Sequence, residues 1–366
     1  MTYKQALKFI GICLSLSRYP DRRIGLQNYI AQENFSWFKI VSVSSGHLVL
    51  PTVYLNLKYA KLLHLLPQDL VAYCEEITHS NRERNKTVIK QAKKISLLLR
   101  SLDITVIFLK GTAHLLENLY ADIGERMVGD IDFIVAENQI KRVADLLIQN
   151  GYKPMGTFIS TKQYGSKHYP RLIHPKELAA IEIHWAVVLN SHKTTLDYST
   201  IFKEKQNVNT VFVPSYRHQA IHNILNTQIN DKGYLYGKVS PRQLYDGFLL
   251  QQKPRVLESC LQYKYDYYRK TLYLKLIQHI FDVENLNISG SFFVQTLMLR
   301  YKLSINYPKM NYFLNYSIFL LSRLFSYPKT IFQACYRKDI RRQLLKKLKD
   351  KSWYTHHVNT YKNPRF

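Results

Sequence analysis

The segment Val128-Gly129-Asp130-Ile131-Asp132-Phe133-Ile134-Val135 constrains this chain more than any other. Apart from its two carboxylates it is apolar and β-branched, the composition of a buried strand. Side chains at i and i+2 of a strand point to one face. Asp130 and Asp132 therefore project together, while Ile131 and Phe133 pack the other way. Two like charges side by side in an interior are costly unless a positive partner offsets them. The usual partner is a divalent cation with oxygen ligands, commonly Mg²⁺ held by one or two carboxylates and a substrate phosphate. The alternative is an exposed strand end with two solvated acids.

The surroundings add to this pattern. Thr105-Val106-Ile107-Phe108-Leu109 reads as a second buried strand, followed at once by Lys110-Gly111-Thr112 and a Leu-rich helix from Ala113 to Tyr120. A strand that turns at Gly into a helix start offers free backbone N–H groups and the positive end of the helix dipole to an anion. Gly111 permits close approach of a phosphate, Thr112 is suited to cap the helix or bond a phosphate oxygen, and Lys110 adds charge. The plainer reading is a helix start after a tight turn. Further on, Ala180-Ile181-Glu182-Ile183-His184-Trp185 alternates strictly, so Glu182 and His184 share one face. A third carboxylate there completes an acidic set; solvent at a sheet edge is the other setting for it. His184 fits a structural role as well as a functional one.

This order of strand, Gly-Thr turn, helix, Asp-x-Asp strand and later acidic strand resembles the DNA polymerase β-like nucleotidyltransferase superfamily. The detailed resemblance is to one bacterial branch, an uncharacterised nucleotidyltransferase family. It rests on Leu109-Lys110-Gly111, Tyr120, Arg126, Gly129-Asp130-Ile131-Asp132, Gly151-Tyr152 and Glu182-Ile183-His184-Trp185. A weaker resemblance extends back to about residue 35 and forward to about Leu250. Thr112 stands where many superfamily members have Ser. The resemblance implies an α+β fold: a mixed β-sheet core of nucleotidyltransferase type, flanked by N-terminal and C-terminal helical regions. It also implies metal-dependent nucleotidyl transfer.

On that reading Asp130, Asp132 and Glu182 bind two Mg²⁺ (or Mn²⁺) ions. Lys110, Gly111 and Thr112 hold the phosphates of an NTP, and pyrophosphate leaves as a hydroxyl acceptor attacks. The acceptor is an RNA, a small molecule or a protein side chain. Arg126 either offsets phosphate charge or braces the loop before the acidic strand. Asp246, in Arg242-Gln243-Leu244-Tyr245-Asp246, reads as a helix residue that supports the site. Two other readings stay open: an Asp-x-Asp glycosyltransferase using a nucleotide-sugar, and a non-catalytic basic polyanion-binding protein on the same scaffold. The helical first hundred residues and the upstream Gly-Thr turn argue against the former, and retention of three acids against the latter.

Helical patterns fill residues 1–100, with a long helix expected from Ser80 to Arg100. The catalytic core is expected over 101–190, a helical nucleotide and acceptor region over 191–290, and a basic, aromatic-rich helical extension over 291–366. Gln139 to Gln149 reads as an amphipathic helix stopped by Asn150-Gly151, and Tyr164 to His174 as a loop or hairpin. Cys13, Cys74, Cys260 and Cys335 lie far apart, as reduced cytosolic thiols would. Residues 1–14 read as a first core helix, and no run of 18 apolar residues suggests a membrane span.

The chain carries 52 Lys and Arg against 26 Asp and Glu, a formal charge of +26. Such an excess attracts polyanions, unless it is only the composition of a lysine-rich genome. It is densest from Arg337 to Lys351, where Ile340, Leu344, Leu345 and Leu348 fall on one helical face. A basic amphipathic helix of this kind suits RNA or an anionic membrane surface, or else packs its apolar face on the protein body. A cytoplasmic protein, in one version peripheral to the inner face of the membrane, is the corresponding expectation.

Overall fold

The computed structural model describes residues 1–156, 158, 161, 166–189, 196–283, 288 and 290–349. Thr2 starts the first helix, α1 (Tyr3–Ser15), with a capping box. Its hydroxyl accepts from the Gln5 N–H, and the Gln5 side chain accepts from the Thr2 N–H. Leu7, Ile10 and Leu14 recur at helical spacing on α1 and are buried. Three more helices follow, α2 (Arg22–Ile30), α3 (Trp37–Gly46) and α4 (Leu50–Tyr59). The long helix expected from Ser80 begins at Gln68, as α5 (Gln68–Arg100). Between Gln68 and His79 only Cys74 and Thr78 are buried, so no apolar pattern marks its start, and Asn81 and Asn85 follow as buried polar residues. Asn81 Nδ2 donates to the Gly124 carbonyl at 2.7 Å and Asn85 Nδ2 to the Arg126 carbonyl at 2.8 Å. These bonds hold the loop that leads into the acidic strand.

The strand expected at Thr105–Leu109 is shorter, β1 (Ile107–Phe108), and the helix expected from Ala113 to Tyr120 is α6 (Lys110–Leu116). Lys110 opens it with φ +52°, and Asn118 closes the segment with φ +53°, which ends the helix early. Next come β2 (Asp130–Ile134), α7 (Ile140–Gln149), β3 (Lys153–Pro154), β4 (Leu172–Ile173) and β5 (Ala180–His184). Gly151 follows α7 with φ +91°, as expected for a glycine past a helix end. Strand β4 forms part of the hairpin expected over Tyr164 to His174; residues 164 and 165 lie outside the described residues.

The sheet continues past residue 190. After α8 (Tyr198–Lys203), β6 (Gln206–Val208) and β7 (Val211–Val213) form a hairpin whose turn residues Asn209 and Thr210 both take positive φ. Strands this short leave little alternation in the sequence. The seven strands lie in the order β3-β4-β5-β2-β1-β7-β6. β2 runs parallel to β5 and antiparallel to β1, which is parallel to β7, so the sheet is mixed and the fold is α+β.

The rest is helical: α9 (Tyr216–Leu225), which continues as a π-helical turn over Asn226–Asn230, then α10 (Gly233–Tyr236), α11 (Pro241–Gln251), α12 (Val256–Gln262) and α13 (Tyr267–Phe281). The chain then runs through α14 (Phe292–Asn306), α15 (Pro308–Tyr336) and α16 (Lys338–Lys349). On α16 Ile340 is buried, while Leu345 and Leu348 are exposed, so only part of its apolar face meets the body. Lys351 lies outside the described residues.

One hydrophobic core takes in residues from Ala6 on α1 to Ile305 on α14. Gly11 makes this possible where α1 meets α13. A Cβ at that position would lie 1.9 Å from the Ile280 carbonyl oxygen, so only hydrogen fits. Gly11→Ala is therefore expected to force the helices apart and lower stability by about 1–3 kcal/mol, read from urea unfolding. An unchanged midpoint would show that α1 and α13 do not pack at this contact.

Candidate active site

Parallel pairing of β2 with β5 builds the site. The register sets Asp132 opposite Glu182 and Ile134 opposite His184. Because alternate residues share a face, Asp130, Asp132, Glu182 and His184 all project from the same side of the sheet. Ile131, Phe133, Ile181 and Ile183 fill the core behind them. Leu172 pairs with Ile181, so its neighbour Arg171 turns toward the acidic face. Arg171 Nη2 lies 2.7 Å from Asp130 Oδ2 and 3.2 Å from Glu182 Oε1, bridging the two acids.

Lys110 and His184 compensate the inner pair. Lys110 Nζ sits 2.6 Å from Asp132 Oδ1 and 3.9 Å from Glu182 Oε2. His184 is fully buried, and its Nε2 donates to Asp132 Oδ1 at 2.8 Å and lies 3.6 Å from Glu182 Oε2. Burial alone would raise the Asp132 pKa, but the Lys110 charge and the His184 hydrogen bond hold that carboxyl far below the usual range. Glu182 is likewise lowered to about 2: burial works against it, and the His184 hydrogen bond and Lys110 more than offset burial and the Asp132 charge. Asp130 is shifted upward by burial and by its acidic neighbours, with Arg171 opposing. Lys110 keeps a raised pKa despite burial, because Asp132 and Glu182 face it.

A cavity of about 240 Å³ opens beside this face. Lys110, Gly111, Asp130 and Asp132 form one wall, and His222, Asn223, Asn226 and Arg242 stand among the others. Arg242 and Asn226 were not singled out from sequence, and neither were Arg171 and Lys167. Lys167 Nζ reaches Asn226 Oδ1 at 3.4 Å, and burial aided by the Lys110 charge pulls its pKa down to about 8. They come from loops and helices far apart in sequence, where a lone cation or amide carries no local signal.

Thr112 differs from the expectation that it caps the helix or contacts phosphate. It lies inside α6, whose N-cap is Leu109, and its side chain is buried. Its hydroxyl donates to the Asp130 carbonyl at 3.2 Å, tying α6 to β2, and it does not line the cavity. Gly111 does line the cavity, with room for no side chain: a Cβ would lie 2.9 Å from Val128 Cγ2. Arg126 makes the bracing contact, one of the two roles expected for it, and also lines the cavity. Its guanidinium grips Asp246 with Nε at 2.9 Å and Nη2 at 2.8 Å, and Nη1 donates to the Met127 carbonyl at 2.8 Å. Tyr120 donates to Asp246 Oδ1 at 2.7 Å, so Asp246 on α11 anchors the loop before β2. Arg126 holds the Asp246 carboxyl below its usual pKa in spite of full burial, while burial pushes His114, 3.8 Å away, down to about 4.

The donor set suits a divalent cation. Asp132, Glu182 and His184 each offer a ligand atom, all within 4.8 Å of one another. Two carboxylates suit Mg²⁺ or Mn²⁺, and an added imidazole nitrogen favours the softer transition ions. The Lys110 ammonium already stands against both acids. Asp130 is outside this close group, held by Arg171.

A family model described as an uncharacterised nucleotidyltransferase matches residues 33–262. The match spans well over half of the chain, and the protein belongs to that family. It is a general nucleotidyltransferase by family, with an Asp-Glu-His cluster able to hold a metal. No curated protein matches the chain.

Asp246→Asn would leave the buried Arg126 without a counter-charge and is expected to destabilise the fold by about 3–5 kcal/mol at neutral pH. Because folding depresses the Asp246 pKa, its stabilisation is complete above the unfolded value and lost as pH falls through the folded one. Thermal melts of the two proteins should therefore converge as pH drops below about 4. A gap that persists in acid would show that the pair is not electrostatic in origin.

Proposed function

We propose that this protein transfers a nucleoside monophosphate from an NTP to a hydroxyl acceptor, using Mg²⁺ or Mn²⁺ and releasing pyrophosphate. The observation that carries the reading is the convergence of Asp130, Asp132 and Glu182 on one face of β2 and β5, beside a cavity walled by cationic and amide side chains. Family membership supports the same class of chemistry.

Asp132 and Glu182 are the residues to hold the metal, with His184 as ligand or as the hydrogen-bond partner that aims Asp132. When bound, the metal supplies charge stabilisation at phosphoryl oxygens and acidifies an acceptor hydroxyl. Both carboxyls stay ionised at neutral pH, as ligation requires. Asp130 joins them once Arg171 turns to another anion. Lys110 would pair with phosphate oxygens as a point charge, with Arg242 as a second cation lining the same cavity. Gly111 lets phosphate approach the backbone. Thr112 acts one step away by fixing α6 to β2, and Arg126, which lines the cavity, fixes the loop before β2 to α11. Glu117 and Gln219 join α6 to α9 at the cavity rim, with Gln219 Nε2 donating to Glu117 Oε2 at 2.9 Å.

The test is incubation of the protein with each α-labelled NTP, Mg²⁺ or Mn²⁺ and a cell extract, followed by identification of the labelled species and of pyrophosphate. Asp132→Asn and Glu182→Gln preserve volume and remove the charge. Each is expected to cut transfer by about 10²-fold or more, the scale of losing one electrostatic contact to a transition state. Full activity in Asp132→Asn would make the acidic pair structural. Release of UDP from a UDP-sugar, with no pyrophosphate from any NTP, would favour a glycosyltransferase.

A further inference from the structure

The surface of the C-terminal helices differs from that of the core. On one half of the circumference of α15, Phe313, Leu321, Leu324, Phe325, Ile331 and Phe332 are each more than half exposed. The opposite half carries the buried Asn315, Phe319 and Ala334. From Met310 to Phe332 the exposed face runs for about 33 Å at 1.5 Å per residue. An apolar face of this length on a monomer signals a partner.

Charge identifies the partner. Between Ser291 and Lys349 the chain has twelve lysines and arginines and a single acid, Asp339. Lys309 and Lys329 lie at the two rims of the apolar face, and Lys338, Arg341 and Arg342 are exposed on the adjoining α16. RNA bases stack on phenyl rings, but Leu321, Leu324 and Ile331, half of the residues named on this face, give them no platform. A lipid surface offers hydrocarbon at its depth and negative charge at its headgroups. No helix among the described residues is long and apolar enough to cross a membrane, so this one would lie on it. The platform is also firmly mounted. Arg300 on α14 donates to Asn315 and to the Tyr236 carbonyl, which Asn315 Nδ2 also reaches at 3.1 Å. Tyr236 ends α10, the helix that follows the cavity residue Asp231.

We infer that α15 docks, apolar face inward, on an anionic lipid surface, with the basic residues around it pairing with the headgroups. This inference is independent of the nucleotidyltransfer reading.

The experiment is flotation of the full-length protein with vesicles of phosphatidylcholine alone, or with about a third phosphatidylglycerol, at several salt concentrations. The comparison protein carries Leu324→Asp and Phe325→Asp together. Both positions are exposed, so an unchanged melting temperature should confirm folding. Expected is binding to the anionic vesicles that weakens with salt and falls about tenfold or more in the double variant. Absence of vesicle binding at low salt would overturn the inference, and so would equal binding of the two proteins. RNA binding without vesicle binding would assign the charge to nucleic acid instead. A dimer dissolved by the double variant, again without vesicle binding, would assign the face to a second copy of the chain.

Discussion

Two carboxylates facing each other across a parallel strand pair need compensation to stay ionised, and the site is organised by how Asp132 and Glu182 obtain it. Lys110 and His184 both reach Asp132 Oδ1, and Arg171 ties Glu182 to Asp130. None of these partners comes from β2. Lys110 opens α6, Arg171 precedes β4, and His184 ends β5, so the charge balance requires that three segments of the sheet assemble in register. The positive φ of Lys110, unfavourable for a residue with a side chain, is maintained where its ammonium meets the acids. On the proposed reading, a divalent cation and a phosphate together would exchange into this charge network.

A second buried pair supports the first. Arg126 and Asp246 join the loop before β2 to α11, while Asn81 and Asn85 fix the same loop to α5. The acidic strand is thus held at its entrance by helices from both halves of the chain. Removing one charge of such a pair costs more than the pair contributes, because the other charge stays buried alone. That asymmetry makes the bracing system sensitive to substitution although it lies one step from the acidic face.

The apolar and basic character of α15 and α16 has a different physical basis. Nothing in the core depends on Phe325 or Phe332, which are exposed, whereas Asn315 and Phe319 on the same helix are buried and attach it to the body. The helix therefore has two apolar-tolerant faces, one covered among the described residues and one exposed.

Local sequence determined what depends on local periodicity. The i, i+2 alternation placed Asp130 with Asp132 and Glu182 with His184, because side-chain direction in a strand is fixed by the backbone. The glycine past α7 and the helical first hundred residues were legible for the same reason. The start of α5 was not, because between Gln68 and His79 only Cys74 and Thr78 are buried, too few to set an apolar stripe. Thr112 was misplaced because α6 begins at Lys110, where a left-handed residue opens a helix against its local preference. Only tertiary structure decided that Asp132 faces Glu182, that Lys110 is their counter-charge, and that Arg126 belongs to Asp246. Each is a contact between segments distant in sequence. A lone Lys, Arg or Asp has the same local propensity whether it lies in solvent or balances a buried charge, so its role depends on the neighbours that folding brings to it.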